Sequence, residues 1–281
     1  MTSQTKIFLD SGDPKDTDEV LSVLGRLDGQ TTNPSLIAKS TEATARKESG
    51  ERFTNQELLD LYRRIVQDIS KKIPEGSVSI ETYADEQTTA EKMIIQAREM
   101  NQWIPNAHIK LPTISEGLKA GRQAVSEGIR INMTLVFSQA QAAAVYSATR
   151  GAKPGDVFLS PFIGRLDDLN INGLDLIKNI MKMYQQSDGH VQVLAASIRH
   201  PYHVQKLVDM GVDIMTVPKK VLLDWHRDSS VDKESDQDKK TAIPYDNFNI
   251  GDDWQSFDIR HELTDQGLKK FVQDWNDLIN Y

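Results

Sequence analysis

The chain has 281 residues, 38% of them hydrophobic and 26% charged, with a formal net charge of −8 and no cysteine. That apolar content suffices for one large packed domain or two small ones, while the missing cysteines exclude disulfides, thiolate metal sites and cysteine nucleophiles. The acidic balance argues against nucleic-acid binding, no stretch approaches the roughly 18 apolar residues of a membrane span, and residues 1–6 lack the pattern of a signal peptide, so a cytoplasmic protein without membrane association is expected.

In chain order, Ile7, Phe8 and Leu9 read as a buried strand that stops at Asp10. Asp13 and Pro14 look like the N-cap and first position of a helix carrying Val20, Leu21, Leu24 and Leu27. A second strand at 29–32 ends at Asn33, and Pro34 opens another helical turn. Residues 40–53 are polar and suit a surface loop or exposed helix. Thr54 and Glu57 form a capping box for a helix with Leu58, Tyr62, Ile65, Val66 and Ile69 at helical spacing. A third strand at 78–81 ends on Glu81, and a helix is expected from about 86 to 100. The fourth strand, bounded by Asn106 and Pro112, carries Lys110, and a helix through Leu118, Gly121 and Ala124 ends at Gly128. In the fifth, at 130–136, Asn132 and Thr134 share one face and Ile131, Met133 and Leu135 the other. Ser138 caps an alanine-rich helix that Gly151 closes. A sixth strand at 157–162, a helix over 174–184, a seventh strand at 191–197 running into Arg199, a helix ending at Gly211 and an eighth strand at 214–217 follow.

Eight short strands alternating with helices predict an α/β fold closed as a (β/α)8 TIM barrel over residues 1–223. An open doubly wound sheet is the runner-up, but no glycine-rich phosphate loop follows the first strand. Asp10, Asn33, Glu81, Lys110, Asn132 with Thr134, Ser160 and Arg199 sit at or near the carboxyl ends of seven strands, which in a barrel form the active-site face. Local capping is a fair account of Asn33 and a conceivable one of Ser160, both beside prolines, but a poor one of Glu81 and Lys110. A lysine in a short apolar strand either reaches water from an edge or is desolvated, and a desolvated amine can attack a carbonyl to form a Schiff base. Residues 224–260 hold ten acidic against five basic residues and are expected to be an exposed loop or a partly disordered insertion. Residues 261–281 end in an amphipathic helix bearing Leu268, Phe271, Val272, Trp275, Leu278 and Ile279 on one face. It can pack on its own barrel, cap the open rim or dock on a neighbouring subunit.

Several linked motifs, in the right order, resemble the transaldolase family. They are Phe8-Leu9-Asp10, Thr31-Thr32-Asn33-Pro34-Ser35, Lys110 within Ile-Lys-Leu-Pro, Asn132-Met133-Thr134, and Ser160-Pro161-Phe162-Ile163-Gly164-Arg165. The resemblance covers about 6–223 and resumes at 261. Spacing is closest to the short, single-barrel transaldolases and the related fructose-6-phosphate aldolases, and 227–260 has no recognised counterpart. The resemblance implies that Lys110 is the Schiff-base lysine, Asp10 the acid that moves the hydroxyl proton, and Glu81 with Thr134 a relay through water. It implies that Asn33, Asn132 and Ser160 hold the dihydroxyacetone hydroxyls, that Arg165, Ser197 and Arg199 hold the phosphate, and that Phe162 belongs to the substrate-binding set. Glu81 and Phe162 favour the transaldolase branch, since the aldolases tend to carry glutamine and tyrosine there. Sugar phosphates are then the substrates, no cofactor or metal is called for, and a homo-oligomer is expected because the C-terminal helix is an oligomer contact in short members.

Two other classes compete. A metal-dependent aldolase would draw on six histidines, of which only His200 and His203 are close in sequence, and these read as a surface pair. A non-catalytic barrel acting as a binding protein is disfavoured because every matched site position keeps the expected residue type.

Overall fold

The strands are short and largely buried on both faces, as parallel strands must be when helices cover them outside and side chains fill them inside. In the computed structural model, which describes residues 5–185, 187–228 and 239–279, they are β1 (Lys6–Asp10), β2 (Gly29–Thr31), β3 (Ser77–Glu81), β4 (Ala107–Pro112), β5 (Ile131–Val136), β6 (Val157–Pro161), β7 (Val191–Ala195) and β8 (Ile214–Val217). Each pairs in parallel with the next and β8 with β1, so the sheet closes into an eight-stranded barrel. Around it run α1 (Pro14–Leu24), α2 (Pro34–Ile37), α3 (Thr41–Glu48), α4 (Asn55–Lys72), α5 (Ala90–Asn101), α6 (Ser115–Ser126), α7 (Gln139–Ala148), α8 (Ile163–Asp167), α9 (Gly173–Tyr184), α10 (Pro201–Met210) and α11 (Lys219–Arg227), with α12 (Glu262–Asn276) after them. Among the described residues, no helix is long and apolar enough to cross a membrane.

Local chemistry accounts for the boundaries. The Thr54–Glu57 capping box forms in both directions at the start of α4, an arrangement worth about 1 kcal/mol. The helix expected from 86 begins only at Ala90, capped by Thr89, because the Asp85 carboxylate takes the Gln87 N–H and the Thr88 hydroxyl and folds 85–88 into a turn. Outward residues of the strands meet the helices closely. A Cβ on Gly121 of α6 would lie 3.1 Å from Met133 Sδ. The β5–β6 register shifts between Met133 and Val136, where Leu135 adopts a φ of 61°.

The amino-terminal half of the barrel interior is a filled floor. Phe8 meets Phe158 edge to face, and His108 stacks on Phe158 with centroids 4.0 Å apart. His108 Nε2 is 2.9 Å from the Gly155 carbonyl, which can only accept, so Nε2 carries the hydrogen and Nδ1 accepts from Ser77 Oγ at 2.7 Å. Burial pushes the titration of this ring down to about 3, and it stays neutral.

The expectation of an exposed loop for 224–260 holds for much of the described stretch, which is irregular and largely exposed, but this loop is also packed down on the barrel. Residues 224–227 finish α11, and 239–260 form a mostly exposed, irregular strap along α7 and α9. Asn179 Nδ2 donates to the Ile243 carbonyl (2.9 Å), Gln139 Nε2 to the Pro244 carbonyl (2.8 Å) and Ser147 Oγ to the Asp252 carbonyl (2.6 Å). Lys182 lies over the Tyr245 ring, and Trp254 is buried in the core. Apolar residues spaced irregularly among acids hide this packing from a composition count. The rest of that expectation falls on 229–238, outside the described residues.

Candidate active site

Neighbouring strand ends set the centre of the site. Parallel register places Glu81 of β3 beside Lys110 of β4, and Lys110 beside Asn132 of β5. Lys110 is only 3% exposed, so the solvent-reaching alternative does not apply. Its Nζ lies 2.9 Å from Glu81 Oε2 and donates to the Thr32 carbonyl at 3.2 Å. Burial pushes the Glu81 carboxyl above its ordinary range, against the opposing pull of the Lys110 charge. The Glu81 N–H donates to Tyr62 Oη (2.8 Å), and Tyr62 Oη shares a 2.7 Å bond with Thr32 Oγ1. Because Thr32 Oγ1 donates its own proton to the Ser79 carbonyl, Tyr62 donates to Thr32. A buried chain of hydroxyls thus fixes the backbone from which the acid projects. Tyr62, read in the sequence only as a core position of α4, has this second duty.

Asp10 is partly buried at the end of β1 and accepts from Thr31 Oγ1 at 2.7 Å. Thr31 is bonded in turn to Thr216 of β8. Desolvation raises Asp10, while Lys110, the Thr31 hydroxyl and Lys39 hold the rise in check. Asn132, fully buried, donates to Ser79 Oγ (3.1 Å) and accepts from Ser160 Oγ (2.7 Å), so Ser160 is tied to the next strand and not to a local cap. Asn33 does cap α2, through Oδ1 to the Leu36 N–H at 2.9 Å, and also lines the cavity. Thr134 Oγ1 is buried and meets no hydrogen-bond partner among the described residues.

A cavity of about 560 Å³ opens above these residues. Asp10, Asn33, Lys110, Ser160, Phe162, Arg165, Ser197 and Arg199 line it, while Glu81, Asn132 and Thr134 lie behind that lining. The arginines come from two backbones in unusually close contact. The Gly164 N–H donates to the Ser197 carbonyl at 3.0 Å, and a Cβ on Gly164 would lie 2.2 Å from that oxygen, so no larger residue fits. Ser197 takes a φ of 59° to turn the chain there. Arg165 lies over the Phe162 ring, and burial and the Arg199 charge push its guanidinium downward. Arg199 pairs with Asp168, at 2.9 Å, but both are largely exposed and such a pair is worth at most about 1 kcal/mol.

The amphipathic C-terminal helix packs on its own barrel, across the mouth. Thr264 Oγ1 donates to the Leu135 carbonyl (2.9 Å), and a Cβ on Gly267 would lie 2.6 Å from Leu135 and 2.8 Å from Arg165 Nη1. The positive φ of Leu135 turns that carbonyl out of the ladder for the helix to use. At the far end Asp274 bonds Ser35, and the Phe53 N–H donates to the Leu278 carbonyl. Lys270, Phe271 and Asp274 thereby join the cavity lining, as do Lys39 and Lys47 from the β2 side. The amphipathic pattern predicted the helix but could not name the surface it meets.

The two histidines read as a surface pair are not alike. His200 is exposed, but His203 is 1% exposed and lies 2.9 Å from the buried Asp167 carboxylate. Among the described residues, no group of three or more His, Cys, Asp or Glu side chains is arranged to hold a metal ion.

A family model described as Transaldolase/Fructose-6-phosphate aldolase matches residues 7–281. The chain belongs to the transaldolase/fructose-6-phosphate aldolase family. It is 34% identical over 273 residues to a "Probable transaldolase" of Dehalococcoides mccartyi, covering 97% of this chain and 99% of that one. Similar proteins of the same description occur in Thermus thermophilus (34% over 270 residues, 96% and 97% covered) and Moorella thermoacetica (34% over 275 residues, 98% and 99% covered). The transaldolase-family match spans 227–260 as well, the stretch for which the motifs alone gave no counterpart.

Proposed function

We propose that the protein is a transaldolase. It takes a dihydroxyacetone unit from fructose 6-phosphate, or from sedoheptulose 7-phosphate, and gives it to an aldose phosphate such as erythrose 4-phosphate, as in the pentose phosphate pathway. The observation that carries the reading is a lysine 3% exposed at the end of β4, 2.9 Å from a buried carboxyl with raised proton affinity, on the floor of a polar cavity.

In this reading the Lys110 amine adds to the ketose carbonyl, and Glu81 takes the proton the lysine must lose. Loss of water from the carbinolamine, assisted by Glu81 and Thr134, leaves an iminium ion. Asp10 removes the C4 hydroxyl proton, the C3–C4 bond breaks, and its electron pair moves into the iminium to give an enamine and a free aldose phosphate. The enamine then attacks the aldehyde carbon of the acceptor, Asp10 returns the proton, and hydrolysis frees Lys110. Asn33, Asn132 and Ser160 hold the dihydroxyacetone hydroxyls. Arg165, Ser197 and Arg199 take the phosphate, for which forked guanidinium donors are suited. Two carboxyls with different surroundings divide the work: buried Glu81 serves imine formation and cavity-lining Asp10 serves bond cleavage. The family also contains aldolases, which release the three-carbon unit to water, and Glu81 and Phe162 are the residues that favour transfer. A cytoplasmic homo-oligomer without a cofactor completes the proposal.

Borohydride trapping with fructose 6-phosphate, followed by peptide mass mapping, tests it. A reduced three-carbon adduct on Lys110 is expected, and erythrose 4-phosphate added before the borohydride should discharge it. Discharge at the same rate without an acceptor would make the protein an aldolase. No adduct in folded protein would overturn the Schiff-base reading for this substrate.

A further inference from the structure

Arg165 and Arg199 stand on segments with little means of holding themselves. α8, which carries Arg165, has five residues, far fewer than a helix needs to be stable alone. Arg199 lies between β7 and α10, 45% exposed at its side chain. Both segments meet at Asp167, the last residue of α8, whose side chain is 8% exposed. Asp167 Oδ1 accepts the Gly173 N–H at 3.0 Å, which fastens α8 to the start of α9. Oδ2 lies 2.9 Å from His203 Nε2 and 2.9 Å from Lys240 Nζ. His203 Nδ1 accepts the backbone N–H of Arg199 at 3.4 Å, so Nε2 carries the ring hydrogen and faces the carboxylate. One carboxylate thus lies two residues from Arg165 and one imidazole away from Arg199.

A buried carboxylate needs a cation as well as hydrogen bonds. Lys240 supplies that charge and is itself held in place. The adjacent Thr241 pairs with Ile171 like a strand, its N–H donating to the Asn170 carbonyl and its carbonyl accepting from the Asn172 N–H, both at 2.8 Å. The lysine side chain is 16% exposed.

We infer that Lys240, which comes after the barrel strands and outside the cavity, is a positioning residue for phosphate recognition: it neutralises Asp167 so that the carboxylate braces α8 and the β7 loop without drawing Arg165 or Arg199 away from the substrate. The inference rests on the reading of those arginines as the phosphate site. It gives the strap at 239–246 a share in substrate choice, setting the preference for phosphorylated over free sugars.

The test is K240M in the full chain, with kcat and KM measured on fructose 6-phosphate and on fructose, and with inorganic phosphate as a competitive probe. For fructose 6-phosphate, kcat/KM should fall about tenfold, almost entirely through KM, as expected when a binding group is displaced by a fraction of an ångström. The inhibition constant of inorganic phosphate should rise in step, fructose should change by less than roughly twofold, and K240R should restore the phosphorylated substrate. Equal losses on both sugars, or no loss on either, would overturn the inference. If K240M does not fold, K240Q carries the same expectation. R165Q and R199Q separate the two readings. If they leave the preference for fructose 6-phosphate intact, the phosphate site itself is misassigned. If they abolish it while the Lys240 variants do not, only the role of Lys240 fails.

Discussion

His108 and Lys110 stand two places apart on β4, each 3% exposed, one in the floor of the barrel and the other at its mouth. The floor answers every polar demand of its histidine: Ser77 and the Gly155 carbonyl satisfy the two nitrogens and Phe158 covers the ring. The mouth leaves demands open. Glu81 faces Lys110 with its carboxyl pushed up by burial, and one strand away from the lysine the Thr134 hydroxyl has no hydrogen-bond partner among the described residues. Burial is common to both regions, so burial does not distinguish a reactive group from a structural one. What distinguishes them is hydrogen-bonding and charge capacity left for something that arrives later.

That contrast makes floor substitutions chiefly a matter of stability and substitutions of the reacting groups at the mouth chiefly a matter of rate, and three variants test it. The largest effect is expected from K110M, which should lower kcat by about 10⁴-fold or more, as loss of a covalent nucleophile does, while the protein still melts cooperatively. E81Q should cost roughly 10²–10⁴-fold in rate, the range for a general acid or base, and should slow the appearance of the borohydride-trapped adduct. An E81Q protein with normal rates and reduced stability would erase the distinction. H108F keeps the stacking but strands the Ser77 hydroxyl and the Gly155 carbonyl. It should lose about 1–3 kcal/mol of stability, read as a lower Tm, with kcat/KM unchanged.

The smallest effect concerns pH. The folded chain holds the Asp10 proton to a higher pH than the unfolded chain does. Stability from such a raised carboxyl is complete below the unfolded value and is lost as pH rises through the native one. D10N cannot suffer that loss. Its Tm should therefore exceed that of the parent by a few degrees at neutral pH, with the gap closing toward acid, and a Tm series over about pH 4 to 8 would show it. A gap that widened toward acid would mean that Asp10 is stabilised as the anion.

Much of this was legible in residue order, because a parallel barrel is built from repeated local units. Apolar runs ending on Asp10, Glu81 and Lys110 gave both the strands and the rim they share, and closure brought them together. Where two segments distant in sequence meet, legibility stopped. Nothing in Gly267 or Leu135 taken alone announces that one helix crosses the mouth through their contact. The His203–Asp167–Lys240 cluster joins residues far apart in the chain, and each of them reads locally as an ordinary surface group. The exposed loop at 239–260 was legible but its packing on the barrel was not, since the loop is held largely through its backbone carbonyls, and side-chain composition carries no trace of these.

The crossing of α12 is lopsided, and that asymmetry has a kinetic consequence. Leu268, Phe271 and Val272 share a small closed space with Pro34, Glu81, Thr82 and Pro112, over the ends of β2, β3 and β4, and Gly267 presses on β5. The cavity lining on the other arc includes Ser197, Arg199 and Pro218 from the ends of β7 and β8, with Lys39 and Lys47 joining it from the β2 side. Among the described residues, the cover over the ends of β2 to β5 leaves a doorway beside the arginines, with Lys110 at the covered end. Under the proposed transfer, the departing aldose and the arriving one must use that doorway in turn. If that transfer is the reaction, its order is ping-pong, with the three-carbon unit held on Lys110 at the covered end while one aldose leaves and the next arrives.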